Sequence, residues 1–125
     1  MDYLSENTIA LAFIGDAVWE LYIRDKIFDK ISKQRPDQMH KAAVKFVKAT
    51  AQCETIKKLI EQEFLSEEEL ALVKRARNHK VATKAKNASI TEYKWATAFE
   101  ALLGYLYLSK QEERLNEIME ASYHE

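Results

Sequence analysis

A chain of 125 residues with two glycines, one proline and one cysteine has little turn material for a β-sandwich or barrel and cannot close an internal disulfide. Nineteen basic against twenty acidic residues give a net charge of −1, so evidence for a nucleic-acid partner must come from local clustering. The length suits one all-α domain over residues 1–125, and the lack of a signal peptide or of an apolar run long enough to span a bilayer predicts a soluble, cytoplasmic protein.

Ser5, Glu6 and Asn7 offer N-caps for a first helix reaching about Lys30. Its middle contains Gly15, which costs roughly 0.8–1 kcal/mol against Ala in a helix interior, and Asp16, another poor helix former. Leu11, Ile14, Val18 and Leu21 fall on one side of the helical wheel, and Ile9 and Phe13 on the other. A helix apolar all round is normally buried, so Asp16 is expected to lie in or beside a core and to need compensation. After a connector at 31–35, Pro36-Asp37 opens a second helix predicted to run from Asp37 to Glu61. Met39, Ala42, Ala43, Phe46, Val47, Ala49, Thr50, Cys53, Ile56 and Ile60 form its apolar face, with Cys53 a core residue.

Ser66 and Glu69 make a capping box for a third helix ending at Arg77. From Leu70 to Thr91 there is no acid, while Lys74, Arg75, Arg77, Lys80, Lys84 and Lys86 accumulate with Asn78 among them. Periodicity lapses there, so 78–90 reads as a loop. Thr91 is the expected cap of a fourth helix over Glu92–Leu108, and Ser109 with Glu112 the expected box for a last helix through Ser122.

The fourth helix repeats the oddity of the first, for Glu100 is the only charge between Trp95 and Leu108 and shares its side with Thr97, Gly104 and Tyr107, two of which are small. Two apolar helices with one central carboxylate each are explained if Asp16 and Glu100 face one another, which requires a shared proton or an intervening cation. Oxygen ligands without His or Cys select Mg²⁺, or Mn²⁺ in its place, and Mg²⁺ suits phosphodiester hydrolysis. The alternative is that Asp16 and Glu100 are separately satisfied by Lys, Arg or backbone donors. Glu20, one turn beyond Asp16, either extends the site or pairs with Arg24 at i,i+4. The run Lys74–Lys86 is a phosphate-binding footprint, and without interleaved aromatics it fits a duplex backbone better than stacked single strands. His40, His79 and His124 show no ligand spacing, and no Ser-His-Asp, CxxC or Gly-rich phosphate-loop pattern occurs.

These segments together resemble the catalytic domain of the ribonuclease III family, in particular its short form without a separate double-stranded-RNA-binding domain. The residues that carry the likeness are Leu11–Val18 (LAFIGDAV), Lys74–Asn78 (KRARN), Lys86-Asn87 and Ala98–Leu106 (AFEALLGYL). The resemblance implies a homodimeric helical endonuclease that cleaves double-stranded RNA with Mg²⁺ to 5′-phosphate and 3′-hydroxyl ends, and a role in maturing large-subunit ribosomal RNA precursors. It assigns Asp16 and Glu100 as metal-binding catalytic carboxylates and Phe13 as the aromatic that packs into the partner subunit, while Glu20 and Thr97 are expected beside the pair from their helical spacing alone. Ala12, Ile9 and Thr97 stand where full-length members carry further acids, which implies one firmly bound ion, any second being held by substrate. Ala76 and Ala85 stand where relatives are expected to carry Gly and Pro. Specificity would then rest on substrate shape or on a helper such as a ribosomal protein. Two other readings remain at this level: a dimer that binds duplex RNA without cutting it, and a helical interaction protein with no RNA role.

Overall fold

The protein's structure, a computed structural model, describes residues 1–80 and 89–124. A 3₁₀ turn at Tyr3–Ser5 precedes six helices: α1 (Thr8–Ile31), α2 (Pro36–Val47), α3 (Ala49–Glu61), α4 (Glu67–Arg77), α5 (Ile90–Leu108) and α6 (Glu112–Ser122). No strand occurs among the described residues, as the sequence predicts, and none of their helices is long and apolar enough to cross a membrane. α5 is the hub, packed by α1, α3, α4 and α6, while α2 lies on α1. Its Phe99, Leu102, Leu103 and Leu106 are fully buried, each worth ~1.5–3 kcal/mol by removal from water.

Local chemistry sets the helix ends. Asn7 caps α1 by accepting from the Ile9 and Ala10 amides at 2.8 and 3.4 Å. Pro36 occupies the first turn of α2, where its missing N–H costs nothing. The Ser66–Glu69 box starts α4 as expected. α5, however, is capped by Ser89 in a box with Glu92, not by Thr91. The expected Ser109–Glu112 box does not form either: Gln111 is the N-cap of α6, and Ser109 turns its hydroxyl back to the Tyr105 carbonyl at 2.6 Å. The two glycines are used elsewhere, so the left-handed positions after α3 and α5 fall to Glu63 (φ 54°) and Lys110 (φ 61°).

The predicted second helix is two helices. Lys48, at φ −67° and ψ 152°, is extended and separates α2 from α3. The carbonyls this break frees are bonded by side chains: Trp19 Nε1 donates to Phe46 O at 3.2 Å and Gln52 Nε2 to Val47 O at 3.0 Å. Tertiary partners, not a glycine or proline, therefore pay for the corner.

At the α4–α6 contact, Arg114 donates from Nε and Nη2 to the Glu69 carboxylate at 2.9 and 2.8 Å and from Nη2 to Phe64 O at 2.6 Å. Burial alone would raise the Glu69 pKa, but hydrogen bonds from Arg114 and the Ser66 cap hold it below the usual carboxylate value. Arg114→Met should therefore lower unfolding stability by about 3 kcal/mol in a urea titration, because a buried carboxylate loses its partner. Glu69→Leu in the same background should recover much of that loss.

Candidate functional site

α1 and α5 cross through their glycines. A Cβ on Gly15 would stand 1.7 Å from the Glu100 carbonyl oxygen, and one on Gly104 would stand 1.9 Å from that of Leu11. The two backbones thus meet without intervening side chains, and the residue after Gly15 is brought to the residue whose carbonyl Gly15 touches. That is how Asp16 and Glu100 come together, within hydrogen-bonding reach of each other.

The two carboxylates differ in setting. Glu100 is deeply placed, and burial first, then the Asp16 charge and hydrogen bond, push its pKa up to about 8, with Glu20 adding a smaller push. Gln52 on α3 opposes these effects by a hydrogen bond that favours the charged form. Asp16 is exposed, contrary to its expected place in or beside the core. Within one chain only one side of α1 is covered, by way of Leu11, Gly15, Trp19 and Ile23, so the apolar wheel overstated its burial. The result is an open site with Asp16 at the rim and Glu100 below it.

The neighbouring candidates divide. Thr97 is buried one turn before Glu100, its hydroxyl donating to Tyr93 O at 3.0 Å. Glu20 pairs with Arg24 at 3.5 Å, the i,i+4 option, while still close enough for its charge to act on Glu100. His40 is exposed and lines a groove of about 260 Å³ between α1 and α2 beside Glu20. Among the described residues no group of three or more His, Cys, Asp or Glu is gathered to hold a metal. Two carboxylates, oxygen donors only, with one of them disfavoured as a bare anion by burial first and by the facing Asp16 charge second, fit a single hard cation, which would offset both effects.

Gln52 is the residue that the sequence reading missed. It sits on the apolar face of α3 between Ala49 and Ile56, beside Cys53, and its polarity at a buried position was the available signal.

The basic residues are spread. Lys74 and Lys80 are exposed, and Arg75 is exposed but donates to Leu4 O at 2.6 Å, fastening the 3₁₀ turn to α4. Arg77 lies over the Trp95 ring, 4.9 Å from its centroid, and donates to Asn78 Oδ1 at 3.1 Å. Lys57 reaches the same ring at 5.7 Å. Trp95 precedes Glu100 by five residues, roughly 7.5 Å along the helix axis, so Arg77 is held on the element that carries Glu100. Lys84 and Lys86 lie outside the described residues. Phe13 is 79% exposed on α1, beside an open apolar groove that includes Tyr3, Ile9, Ile14 and Leu108.

Comparison with known proteins follows the same outline. Residues 9–111 match the ribonuclease III domain. The chain is 50% identical over 119 residues to a mini-ribonuclease 3 of a Thermoanaerobacter species, covering 95% of this chain and 82% of that one. It is 48% identical over 118 residues to the mini-ribonuclease 3 of Clostridium tetani, covering 94% and 77%. A crystal structure of a Fusobacterium nucleatum protein is similar at a TM-score of 0.81 and 35% identity, over 96% of this chain and 94% of that one.

Proposed function

The chain belongs to the ribonuclease III family and is one of its endoribonucleases of double-stranded RNA, and from that premise we propose that it is a Mg²⁺-dependent homodimer that trims large-subunit ribosomal RNA precursors. Mn²⁺ would substitute for Mg²⁺ at the same oxygen ligands. The observation that carries the metal assignment is the Asp16–Glu100 pair, in which a deeply placed carboxylate is set against a second one at the rim.

When bound, Mg²⁺ supplies Lewis acidity toward a phosphate oxygen and lowers the pKa of the attacking water. Glu100, held in place by the glycine crossing, would be the deeper ligand of the ion, and the exposed Asp16 would be the ligand at the rim. Thr97 and Glu20 flank the pair, Glu20 balanced by Arg24. Two protein carboxylates suit one tightly held ion. Lys74, Arg77, Asn78 and Lys80, continued by Lys84 and Lys86, grip duplex phosphates, while Arg75 does so with the part of its guanidinium that Leu4 leaves free. A ribosomal protein bound to the precursor is the helper that fits this reading, since backbone contacts select shape and not sequence.

A long RNA duplex incubated with the protein and Mg²⁺ should give short products with 5′-phosphate ends, and Asp16→Asn should slow cleavage by at least ~100-fold. Cleavage that survives the substitution, or survives excess chelator, would overturn the metal assignment. Salt-sensitive duplex binding with no cleavage at any Mg²⁺ concentration would overturn the catalytic reading in favour of a non-cutting RNA-binding dimer.

The homodimer reading rests on α1. Ile9, Phe13, Leu21 and Phe28 are exposed large apolar side chains on one helix, more than a solvated helix face ordinarily shows. A second copy offering the same surface would cover them, with Phe13 as the anchor in the groove beside Leu108. Phe13→Asp should shift the sedimentation coefficient from that of a dimer to that of a monomer at micromolar concentration. An unchanged coefficient would sink the assignment of Phe13 to the interface.

A further inference from the structure

Gln52 is a buried polar residue, 2% exposed, in the first turns of α3, where sequence pattern asks for an apolar one. It spans two things at once. Its Nε2 donates to the Val47 carbonyl at 3.0 Å, across the corner that Lys48 makes between α2 and α3. Its side chain also reaches the Glu100 carboxylate on α5.

The first bond fixes the chemistry of the second. The Val47 carbonyl is an acceptor, so the nitrogen end of the amide faces the corner and keeps a second hydrogen available for the Glu100 carboxylate. A glutamine free to sample its three torsions would make that contact at a cost in rotamer entropy; one already tied to Val47 does not. The type of donor matters as well. A lysine here would neutralise Glu100 by forming an ion pair and compete with any divalent ion, whereas an amide orients the carboxylate and leaves its charge in place.

We infer that Gln52 is a positioning residue, anchored on the Val47 carbonyl, that holds the Glu100 carboxylate in orientation for a divalent cation shared with Asp16. This rests on the metal-site reading given above. It also gives the α2–α3 corner a purpose: the extended residue frees the carbonyl on which the amide is anchored.

The test measures Mn²⁺ affinity of the RNA-free protein by calorimetry, for wild type, Gln52→Met, Glu100→Gln and Asp16→Asn, with thermal unfolding of each. Gln52→Met keeps the length of the side chain and removes its donors. It should weaken Mn²⁺ binding about tenfold, as the loss of a hydrogen bond to a ligating carboxylate does elsewhere. The Mg²⁺ concentration for half-maximal cleavage should rise by the same factor, with the KM for RNA unchanged and the rate recovered at saturating Mg²⁺. A lower Tm with Mn²⁺ affinity within twofold of wild type would show a corner brace alone and overturn the inference, while loss of binding in Glu100→Gln would leave the metal site standing. Full Mn²⁺ affinity in Glu100→Gln would overturn the metal site, and this inference with it. Should Gln52→Met fail to fold, the wild-type protein carries the test by NMR. The Gln52 side-chain amide signals should move on adding Mg²⁺ and on substituting Glu100→Gln, and signals that stay put in both cases would overturn the inference.

Discussion

Raising the pH from 5 to 9 in the presence of chelator should cost the RNA-free protein roughly 3–4 kcal/mol of stability through Glu100 alone. The sign follows from the shift. Glu100 binds its proton more tightly folded, with a pKa of about 8 against an ordinary 4.5, so its contribution is full below about pH 4.5 and is lost as the pH rises through 8. Above that, burial and the facing Asp16 charge oppose the bare anion. Thermal melts across this range should therefore slope downward in the wild type and be nearly flat in Glu100→Gln, which cannot ionise. Mg²⁺ should flatten the wild-type slope too, because a cation replaces the proton as the charge that reconciles the two carboxylates. Equal slopes in the two proteins would show that Glu100 is not the group responsible.

Gly15→Ala should prevent stable folding, with a loss of at least about 4 kcal/mol by chemical denaturation. Helix propensity predicts the opposite, a gain of roughly 0.8–1 kcal/mol. The steric effect wins because the added methyl would lie 1.7 Å from the Glu100 carbonyl oxygen, and a backbone atom has no rotamer in which to retreat. Relief requires α1 and α5 to separate by more than an ångström along the best-packed contact of the core, beyond the 1–3 kcal/mol usual for overpacking. A far-ultraviolet spectrum and urea midpoint matching the wild type would refute the close crossing. Gly104→Ala, 1.9 Å from the Leu11 carbonyl oxygen, should behave in the same way.

Much of the site could be read in the sequence because its residues break local rules. Gly15 and Asp16 are poor helix formers inside a helix, and Glu100 is a lone charge in an apolar one, so each advertised a tertiary reason for its presence. The Ser66–Glu69 box and Pro36 were legible for the opposite reason, as local chemistry that needs no partner. What escaped was set by distant groups. Nothing near Lys48 signals a break, since the compensation comes from Trp19 and from a glutamine that must turn back across the corner. Gln52 was passed over because a helical apolar stripe tolerates one polar member without losing its period. Asp16 was expected in or beside the core because a wheel counts apolar residues but does not say which of them the fold covers. The grip of Arg75 on Leu4 spans 71 positions and has no local trace.

The two tryptophans make the chain its own optical instrument. Trp19 is 2% exposed, and its ring meets that of Phe99, the residue before Glu100, edge-on at 5.1 Å. Trp95 is half-buried beneath the charged groups of Arg77 and Lys57. One indole thus emits from a dry interior next to the paired carboxylates, and the other from beneath cations that a phosphate backbone would draw away. With Trp95 replaced by phenylalanine, the remaining emission should respond to ion occupancy if the proposed metal site is correct. With Trp19 replaced instead, on the same proposal it should respond to the docking of RNA, so that the two events could be timed separately without attaching a label.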